Sequence, residues 1–327
     1  MLGTGTLIRS VVVIVVAGVL SFLPFTLSDY HVGEGARVAV YFMAILSLNL
    51  ALGYAGQISL GQGAFMLVGA YTTGILNVRH GWTIIETLPV VFLISFVIGA
   101  LLGLPALRLS GIYLALVTLG FAFAVPQLPL KFDKFFGGRN GFQFAVRSNA
   151  WAYGVSWTCA ALLFVGTWWL LRGRIGRAFR AIRDSEIAAA SSGVSLPVYK
   201  VLAFALSGGI AGVAGTMFVV VSNSFVGPTA FSVFLSLRIL IGAAVAGLGS
   251  LWGLVIGAAF IALLPDVSHS VPVVGSTHGQ DVVYGVLVIL IMFLLPGGFA
   301  GLLRQVILRA TRGKRAAQTT PSPVEAA

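Results

Sequence analysis

The sequence predicts an all-α, polytopic membrane protein with about 8–10 transmembrane helices, glycine-rich packing and one candidate re-entrant segment. Of its 327 residues, 58% are hydrophobic and only 9% are charged, whereas a soluble domain carries roughly 25% charged residues. Apolar runs of about 20 residues recur along the chain, and a helix needs that length to cross a hydrocarbon core of about 30 Å. The runs are continuous, which favours helices over the short alternating segments of a membrane β-barrel.

Ten apolar spans are predicted in chain order. They cover approximately residues 8–27, 37–53, 62–77, 87–106, 111–128, 151–171, 201–221, 231–248, 251–264 and 282–296. No small-x-small cleavage site follows the first span, so we expect it to stay uncleaved. Residues 1–310 therefore form one transmembrane domain, and the tail 311–327, which lacks apolar periodicity, is expected to be disordered.

Basic residues assign both termini to the cytoplasm. The segment 172–200 carries five arginines and Lys200, and the C-terminal tail is also basic, so the positive-inside rule places both at the cytoplasmic face. The loops at 28–35 and 265–281 contain acids and histidines but no Lys or Arg, and they are expected to face outward. Ten spans satisfy these assignments. They also place the basic segment 129–150 outside, which disagrees with its charge.

The sequence lacks the motifs of an enzyme. It has no phosphate-cradling GxxxxGK[ST] loop, no HExxH pair and no nucleophile elbow, and no cysteine–histidine cluster indicates a metal, so no cofactor is expected. The net charge of +11 comes from basic residues beside the spans, which suits lipid headgroups better than nucleic acid. All nine acidic residues map to loops, span ends or the tail, which argues against proton coupling but leaves sodium coupling open.

The segment 172–200 is a long charged stretch between two membrane-length apolar blocks. Within it, RAFRAIRDSEIAAASSG predicts a short helix with arginines on neighbouring turns. Its alanines leave room for a partner's groove, its two acids offer acceptors to a partner's arginines, and its last glycine suits a helix terminus. A solvated loop that binds lipid headgroups is the alternative. The candidate docking residues are Arg183, Asp184, Glu186, Ala189, Ala190 and Gly193.

The segment LGYAGQISLGQGAF at 52–65 combines polar side chains with glycines at a span junction. This composition suits a broken or re-entrant helix that lines a cavity, and a plain turn between two spans is the alternative. Arg238, inside a late apolar run, either snorkels to the outer surface or faces the pathway. The candidate pathway residues are Asn49, Gly53, Gly56, Gln57, Ser59, Gln62 and Arg238.

Glycines spaced by four residues predict close helix packing. One such repeat is formed by Gly249, Gly253 and Gly257. Gly208 with Gly212 and Gly99 with Gly103 repeat the spacing. In lipid these faces let helices approach closely, either within this chain or against a sister subunit, and lining a substrate path is the alternative.

Four of these segments together resemble the LivM-like permease subunits of ATP-binding-cassette importers for branched-chain amino acids. They are LNLALGYAGQISLGQGAFMLVGAYT (48–72), LRLSGIYLALVTLGFAFAV (107–125), GRAFRAIRDSEIAAASSGVSLPVYKVLAFALSGGIAGVAGTM (176–217) and GAAVAGLGSLWGLVIGAA (242–259). The resemblance implies that Glu186, Ala189 and Gly193 dock the chain onto ATPase subunits. It also implies a bacterial inner-membrane location, a LivH-like sister permease, two ATPase subunits and a periplasmic substrate-binding protein.

Three positions depart from the family's pattern. Gln62 stands where histidine is expected, Arg139 where serine is usual and Arg238 where an acidic residue is common. These departures leave the substrate open among branched-chain amino acids, other amino acids, urea and short amides. An ion-coupled carrier that acts alone and a membrane scaffold that transports nothing are the competing hypotheses.

Overall fold

The computed structural model describes residues 28–269 apart from 110, 133–135, 138–141, 144–147 and 223–224, together with residues 285, 286 and 289. Five helical stretches of this part are long and apolar enough to cross a membrane. The prediction of an all-α, polytopic membrane protein is therefore confirmed. The predicted span at 8–27 and the tail 311–327 lie outside the described residues, as does the span at 282–296 except for residues 285, 286 and 289.

The helices follow one another with short connections. In chain order they are α1 (Asp29–Leu48), α2 (Gln62–His80), α3 (Ile84–Gly103), α4 (Ile112–Ala124), α5 (Gln127–Lys131), α6 (Asn149–Arg172), α7 (Arg174–Asp184), α8 (Glu186–Ser191), α9 (Leu196–Val221), α10 (Val233–Ala246) and α11 (Leu254–His269). A π-helical turn, Asn49–Tyr54, continues α1, and Pro105–Leu107 and Pro228–Phe231 form 3-10 turns. Two short strands, β1 (Phe142–Gln143) and β2 (Phe225–Val226), pair antiparallel.

Helix α9 is the centre of the bundle. It runs for 26 residues and packs along α3, α2 and α1. An ideal Cβ at Gly208 would stand 2.7 Å from the carbonyl oxygen of Ser95 on α3, and one at Gly99 would stand 2.5 Å from the carbonyl oxygen of Phe204 on α9. Both distances are shorter than van der Waals contact, so the two helices approach this closely because these positions lack a side chain. The predicted close packing at Gly99 and Gly208 is confirmed.

Local sequence signals define several helix ends. Thr83 and Glu86 form a capping box at the start of α3, where the Thr83 amide donates to Glu86 Oε2 at 2.8 Å. Ser148 caps α6 by accepting a hydrogen bond from the Trp151 amide at 3.2 Å. Gly81 follows α2 with a φ of 71°, a left-handed conformation that favours glycine.

Helix α1 begins earlier than the sequence predicts. The expected outward loop at 28–35 is mostly helical, and Glu34 is buried there beside Arg37, with Glu34 Oε1 2.8 Å from Arg37 Nη1. The glycine at position 35 allows this extension, because an ideal Cβ there would stand 2.7 Å from Tyr153 Cε2 on α6. Packing between α1 and α6 thus outweighs the polar composition of residues 28–35.

Strand β1, a described part of 129–150, and the charged segment 172–200 lie at opposite ends of the bundle. Strand β1, inside 129–150, pairs with β2, which follows the last turn of α9. Helices α7 and α8 precede the first turn of α9. Ten spans also place the two segments on opposite sides, but which end faces the cytoplasm stays a prediction. We call the end that carries α7 and α8 the coupling end.

The repeat of Gly249, Gly253 and Gly257 does not form one helix face, although Gly253 and Gly257 both pack closely against α10. Gly249 lies in the turn between α10 and α11 with a φ of 80°, and Gly253 directly precedes α11. Of the three, Gly257 alone is helical, and an ideal Cβ there would stand 2.9 Å from the Cβ of Ala246 on α10. The glycines build a tight hairpin of two short helices, because the turn needs a positive φ where the sequence pattern suggests helix.

Candidate coupling and pathway site

The charged segment forms two helices rather than the one predicted. Phe179 and Ile182 bury one face of α7 against the bundle. Ser185 separates α7 from α8, because its backbone is extended and its hydroxyl accepts a hydrogen bond from the Ala188 amide at 3.3 Å. The single predicted helix is thus interrupted at Ser185, which caps α8.

Helix α8 presents a short, largely apolar surface. Ile187 is 86% exposed and Ala190 is also exposed, whereas Ala189 is buried beneath them. Gly193 ends the helix with a φ of 82°, and the Val194 amide donates to the Ala189 carbonyl at 3.0 Å. The expected helix terminus at Gly193 is confirmed. Asp184, at the end of α7, is exposed.

Glu186 is held by a partner within the chain. Lys200 Nζ on α9 lies 2.7 Å from Glu186 Oε1 and 3.5 Å from the carbonyl oxygen of Ala106. The ion pair ties α8 to α9 and to the 3-10 turn that follows α3. Lys200 belongs to the basic residues of the charged segment, but no pattern in the sequence identifies it as the partner of Glu186.

Arg183 reaches from α7 to two breaks in the membrane helices. Its Nη1 donates to the carbonyl oxygen of Gly53 in the π-helical turn after α1. The same nitrogen stands 2.5 Å from the place of an ideal Cβ at Gly249, in the turn between α10 and α11. An ideal Cβ at Gly56 would stand 3.3 Å from Arg183 Cα. The absence of side chains at these glycines lets α7 approach both breaks.

Asn49 connects the same two breaks directly. Its Nδ2 donates to the carbonyl oxygen of Ser250 at 2.8 Å, and its Oδ1 accepts from the Gly249 amide at 2.8 Å. The Asn49 side chain is buried. Backbone groups that leave a helix inside a membrane need partners within the protein, and Asn49 supplies them for this turn.

The backbone is not helical at residues 56–61, between the π-helical turn and α2. Hydroxyl groups accept hydrogen bonds from several amides of this segment and of the first turn of α2. Thr118 Oγ1 on α4 accepts from the Leu60 amide at 2.9 Å, and Ser236 Oγ on α10 accepts from the Gly63 amide at 2.9 Å. Ser59 Oγ accepts from the Gly61 amide at 3.4 Å. The segment 56–61 therefore follows the rule that irregular membrane backbone is sheltered by protein.

Gln62 starts α2 in a buried polar cluster. Its Nε2 donates to Ser207 Oγ at 3.1 Å, its Oε1 accepts from Ser47 Oγ at 3.0 Å, and Ser207 Oγ donates to the Ser47 carbonyl at 2.8 Å. Ser207 lies midway along α9, so α2 begins near the middle of the bundle. This position favours a broken helix over a plain turn at the membrane surface.

Comparisons with known proteins show the family of this chain. A family model described as the branched-chain amino acid transport system / permease component matches residues 35–294. The chain belongs to this permease family. The LivM permease protein of the high-affinity branched-chain amino acid transport system of Salmonella typhimurium is 32% identical, with 89% of this chain and 75% of that protein covered. Its Escherichia coli counterpart is 31% identical, with 90% and 76% covered, and no solved structure matches.

In this permease, Gln57 is a buried amide whose side chain has no hydrogen-bond partner among the described residues. It is 5% exposed, and within the described part of the chain neither Oε1 nor Nε2 has a partner. An unsatisfied buried polar group costs about 1–3 kcal/mol. Gln57 lies in the irregular segment that separates the π-helical turn from α2, so the cost is located in one of the two breaks.

Arg238 of the permease lies apart from the other pathway candidates. It belongs to the second turn of α10 and lines a cavity of about 260 Å³ with Tyr41 of α1, Arg37 and Ser222. Ser222 follows the end of α9 that lies opposite the coupling end. The structure therefore unites Asn49, Gly53, Gly56 and Arg183 but does not bring Arg238 to them.

Four hydroxyl side chains of the permease were not among the predicted site residues. Each lies inside an apolar run and forms a hydrogen bond with the Gln62 side chain or with an amide of residues 60–63. They are Ser47, Thr118, Ser207 and Ser236. A serine or threonine in such a run often bonds to its own helix, so the sequence gives no sign of a partner elsewhere.

Proposed function

We propose that this permease is a pore-forming subunit of an ATP-driven importer for branched-chain or closely related amino acids in a bacterial inner membrane. A LivH-like sister permease completes the pore, two ATPase subunits drive it, and a periplasmic binding protein delivers the solute. Membership of the family, whose matched region of 35–294 includes α7 and α8, is the observation that carries the proposal.

The ATPase subunits dock at α8. Its exposed residues are small except for Ile187, so that a groove on the partner can close over the helix backbone. Ala190 is exposed on this surface, whereas Ala189 and the Glu186–Lys200 pair hold α8 to the rest of the permease. A movement of the ATPase pair on ATP binding therefore passes through α8 to α9, the central helix.

The path for the solute runs beside the two helix breaks. Half-helix ends and irregular backbone near the middle of a membrane commonly form substrate sites in transporters. The cluster around Gln62 and the segment 56–61 provide such backbone near the middle of this bundle. The names of the two LivM relatives support branched-chain amino acids as the cargo.

The docking proposal is tested with one substitution at two exposed alanines, Ala190 on α8 and Ala161 on α6. In Ala190→Trp, the bulky ring should prevent the ATPase subunits from copurifying with tagged permease and abolish ATP-dependent uptake of L-leucine into proteoliposomes. Ala161→Trp should change neither. Retention of the ATPase subunits by Ala190→Trp would exclude α8 as the docking surface.

The same proteoliposomes separate the competing functions. Uptake of L-leucine that needs ATP and the ATPase subunits supports the importer. Uptake without them, which collapses with an ion gradient, would identify an ion-coupled carrier instead. ATP-dependent uptake of urea or acetamide, without uptake of leucine, would support an ATP-driven importer whose cargo is not a branched-chain amino acid.

A further inference from the structure

Three distant parts of the chain meet at one point near the coupling end. An ideal Cβ at Gly53 would stand 2.5 Å from the amide nitrogen of Gly249, so the π-helical turn and the α10–α11 turn are in direct contact. Asn49 bonds to the main chain of Gly249 and Ser250 across this contact. We call Asn49, Gly53, Gly249 and Ser250 the break junction. Arg183 adds α7 as the third part.

The Arg183 guanidinium closes the break junction from the coupling end. Its Nη1 donates to Gly53 on one side and lies against Gly249 on the other. A guanidinium is planar, always charged and rich in donors, so it can hold two backbone segments in a fixed relation. Arg183 is the penultimate residue of α7, whose Phe179 and Ile182 are buried. Its position therefore follows the position of α7.

Both sides of the junction consist of helix ends and irregular backbone. Gly249 has a φ of 80°, and its turn connects two short helices. Gly53 lies in a π-helical turn that ends in irregular backbone. Hinge motions in proteins concentrate at such element ends, where a few residues absorb the change in backbone angles.

We propose that Arg183 is a positioning residue that transmits motion of the coupling end to the break junction. The proposal rests on the proposed function and assigns Arg183 a role inside the permease instead of the predicted contact with an ATPase subunit. In this structure Arg183 holds the two breaks together. When the ATPase subunits move α7, the guanidinium leaves Gly53, and the breaks separate to open one side of the path.

The experiment measures ATP hydrolysis and L-leucine uptake together in proteoliposomes that hold the complete transporter. Arg183→Gln should retain the ATPase subunits and their hydrolysis but lose most uptake, so that more ATP is hydrolysed per leucine. Arg183→Lys should restore part of the uptake, because an ammonium still donates to the Gly53 carbonyl. Arg177→Gln, at an exposed arginine of the same helix, is the matched control and should resemble the native transporter.

Two results would overturn the proposal. Loss of the ATPase subunits from Arg183→Gln would make Arg183 a docking residue, as first predicted. An unchanged ratio of ATP to leucine, with or without a lower yield of folded protein, would leave it with a structural role or none.

A second measurement needs neither partners nor transport. The substitution Ser250→Cys places a thiol that reports on the break junction, and the native Cys159 is buried. A maleimide should label the introduced thiol faster in the Arg183→Gln background than in the Arg177→Gln background, and equal rates would contradict the proposal. If the native complex takes up no leucine, the proposed function fails, but the labelling still decides whether Arg183 closes the junction.

Discussion

The ammonium of Lys200 lies 2.7 Å from a carboxylate oxygen of Glu186, and the two side chains differ in burial. Lys200 is 7% exposed, whereas Glu186 is 44% exposed. The buried cation therefore depends on a carboxylate that also faces water, and this asymmetry makes the pair a structural tie between α8 and α9.

Removal of Glu186 should destabilise the permease. We expect Glu186→Gln to lower the free energy of unfolding by about 2 kcal/mol, below the 3–5 kcal/mol of fully buried pairs because Glu186 is partly solvated. The double variant Glu186→Gln with Lys200→Met should recover most of this loss, since no unpaired charge is then buried at this site. Thermal unfolding in detergent measures both, with Asp184→Asn at an exposed carboxylate as the control.

Ser207→Ala should weaken the bundle at its centre. The substitution leaves Nε2 of the buried Gln62 without its partner, and such a loss costs about 1–3 kcal/mol. Ser156→Ala is the matched control, because its buried hydroxyl has no partner within the described residues, so its removal should have little effect or stabilise slightly. Equal unfolding midpoints for the two variants would show that the hydrogen bond between Ser207 and Gln62 does not stabilise the bundle.

Substitutions at Gly249 and Gly193 can separate the cost of a steric clash from the cost of backbone strain. Both have φ near 80°, but an ideal Cβ at Gly193 meets nothing within 4 Å, whereas one at Gly249 meets the Arg183 guanidinium. An alanine in the left-handed region costs roughly 1–2 kcal/mol. Gly193→Ala should lose only this amount, and Gly249→Ala should lose more. In the Arg183→Ala background, Gly249→Ala should cost less unfolding free energy than in the native background. A double-mutant cycle of unfolding free energies measures this difference.

Gln57→Leu should separate stability from transport. Gln57 has no hydrogen-bond partner within the described part of the chain, so replacing its amide by an apolar side chain of similar size should raise the unfolding temperature. We also expect slower ATP-dependent uptake of L-leucine. In other conformations of segment 56–61 the Gln57 amide can form hydrogen bonds, and leucine at this position cannot. An unchanged uptake rate would remove Gln57 from the pathway.

The sequence predicted a large part of the coupling end. The charged composition of 172–200 separates it from the membrane, and the glycine at position 193 marks the end of α8, because a positive φ favours that residue. It did not predict the division at Ser185, since serine is acceptable within a helix as well as at a cap. Glu186 was identified as a charged acceptor, but its partner Lys200 depends on how α8 folds back onto α9.

The amino-acid sequence by itself determined that this protein crosses a membrane through many helices. The length of an apolar run is a local property, which can be read from about 20 consecutive residues. It also indicated where helices end or break, through glycines and polar residues. Only the tertiary structure decided which breaks meet. Arg183 is 130 residues from Gly53 along the chain, and Asn49 is 200 residues from Gly249, and no local pattern specifies contacts over such distances. Helix packing alone brings them together.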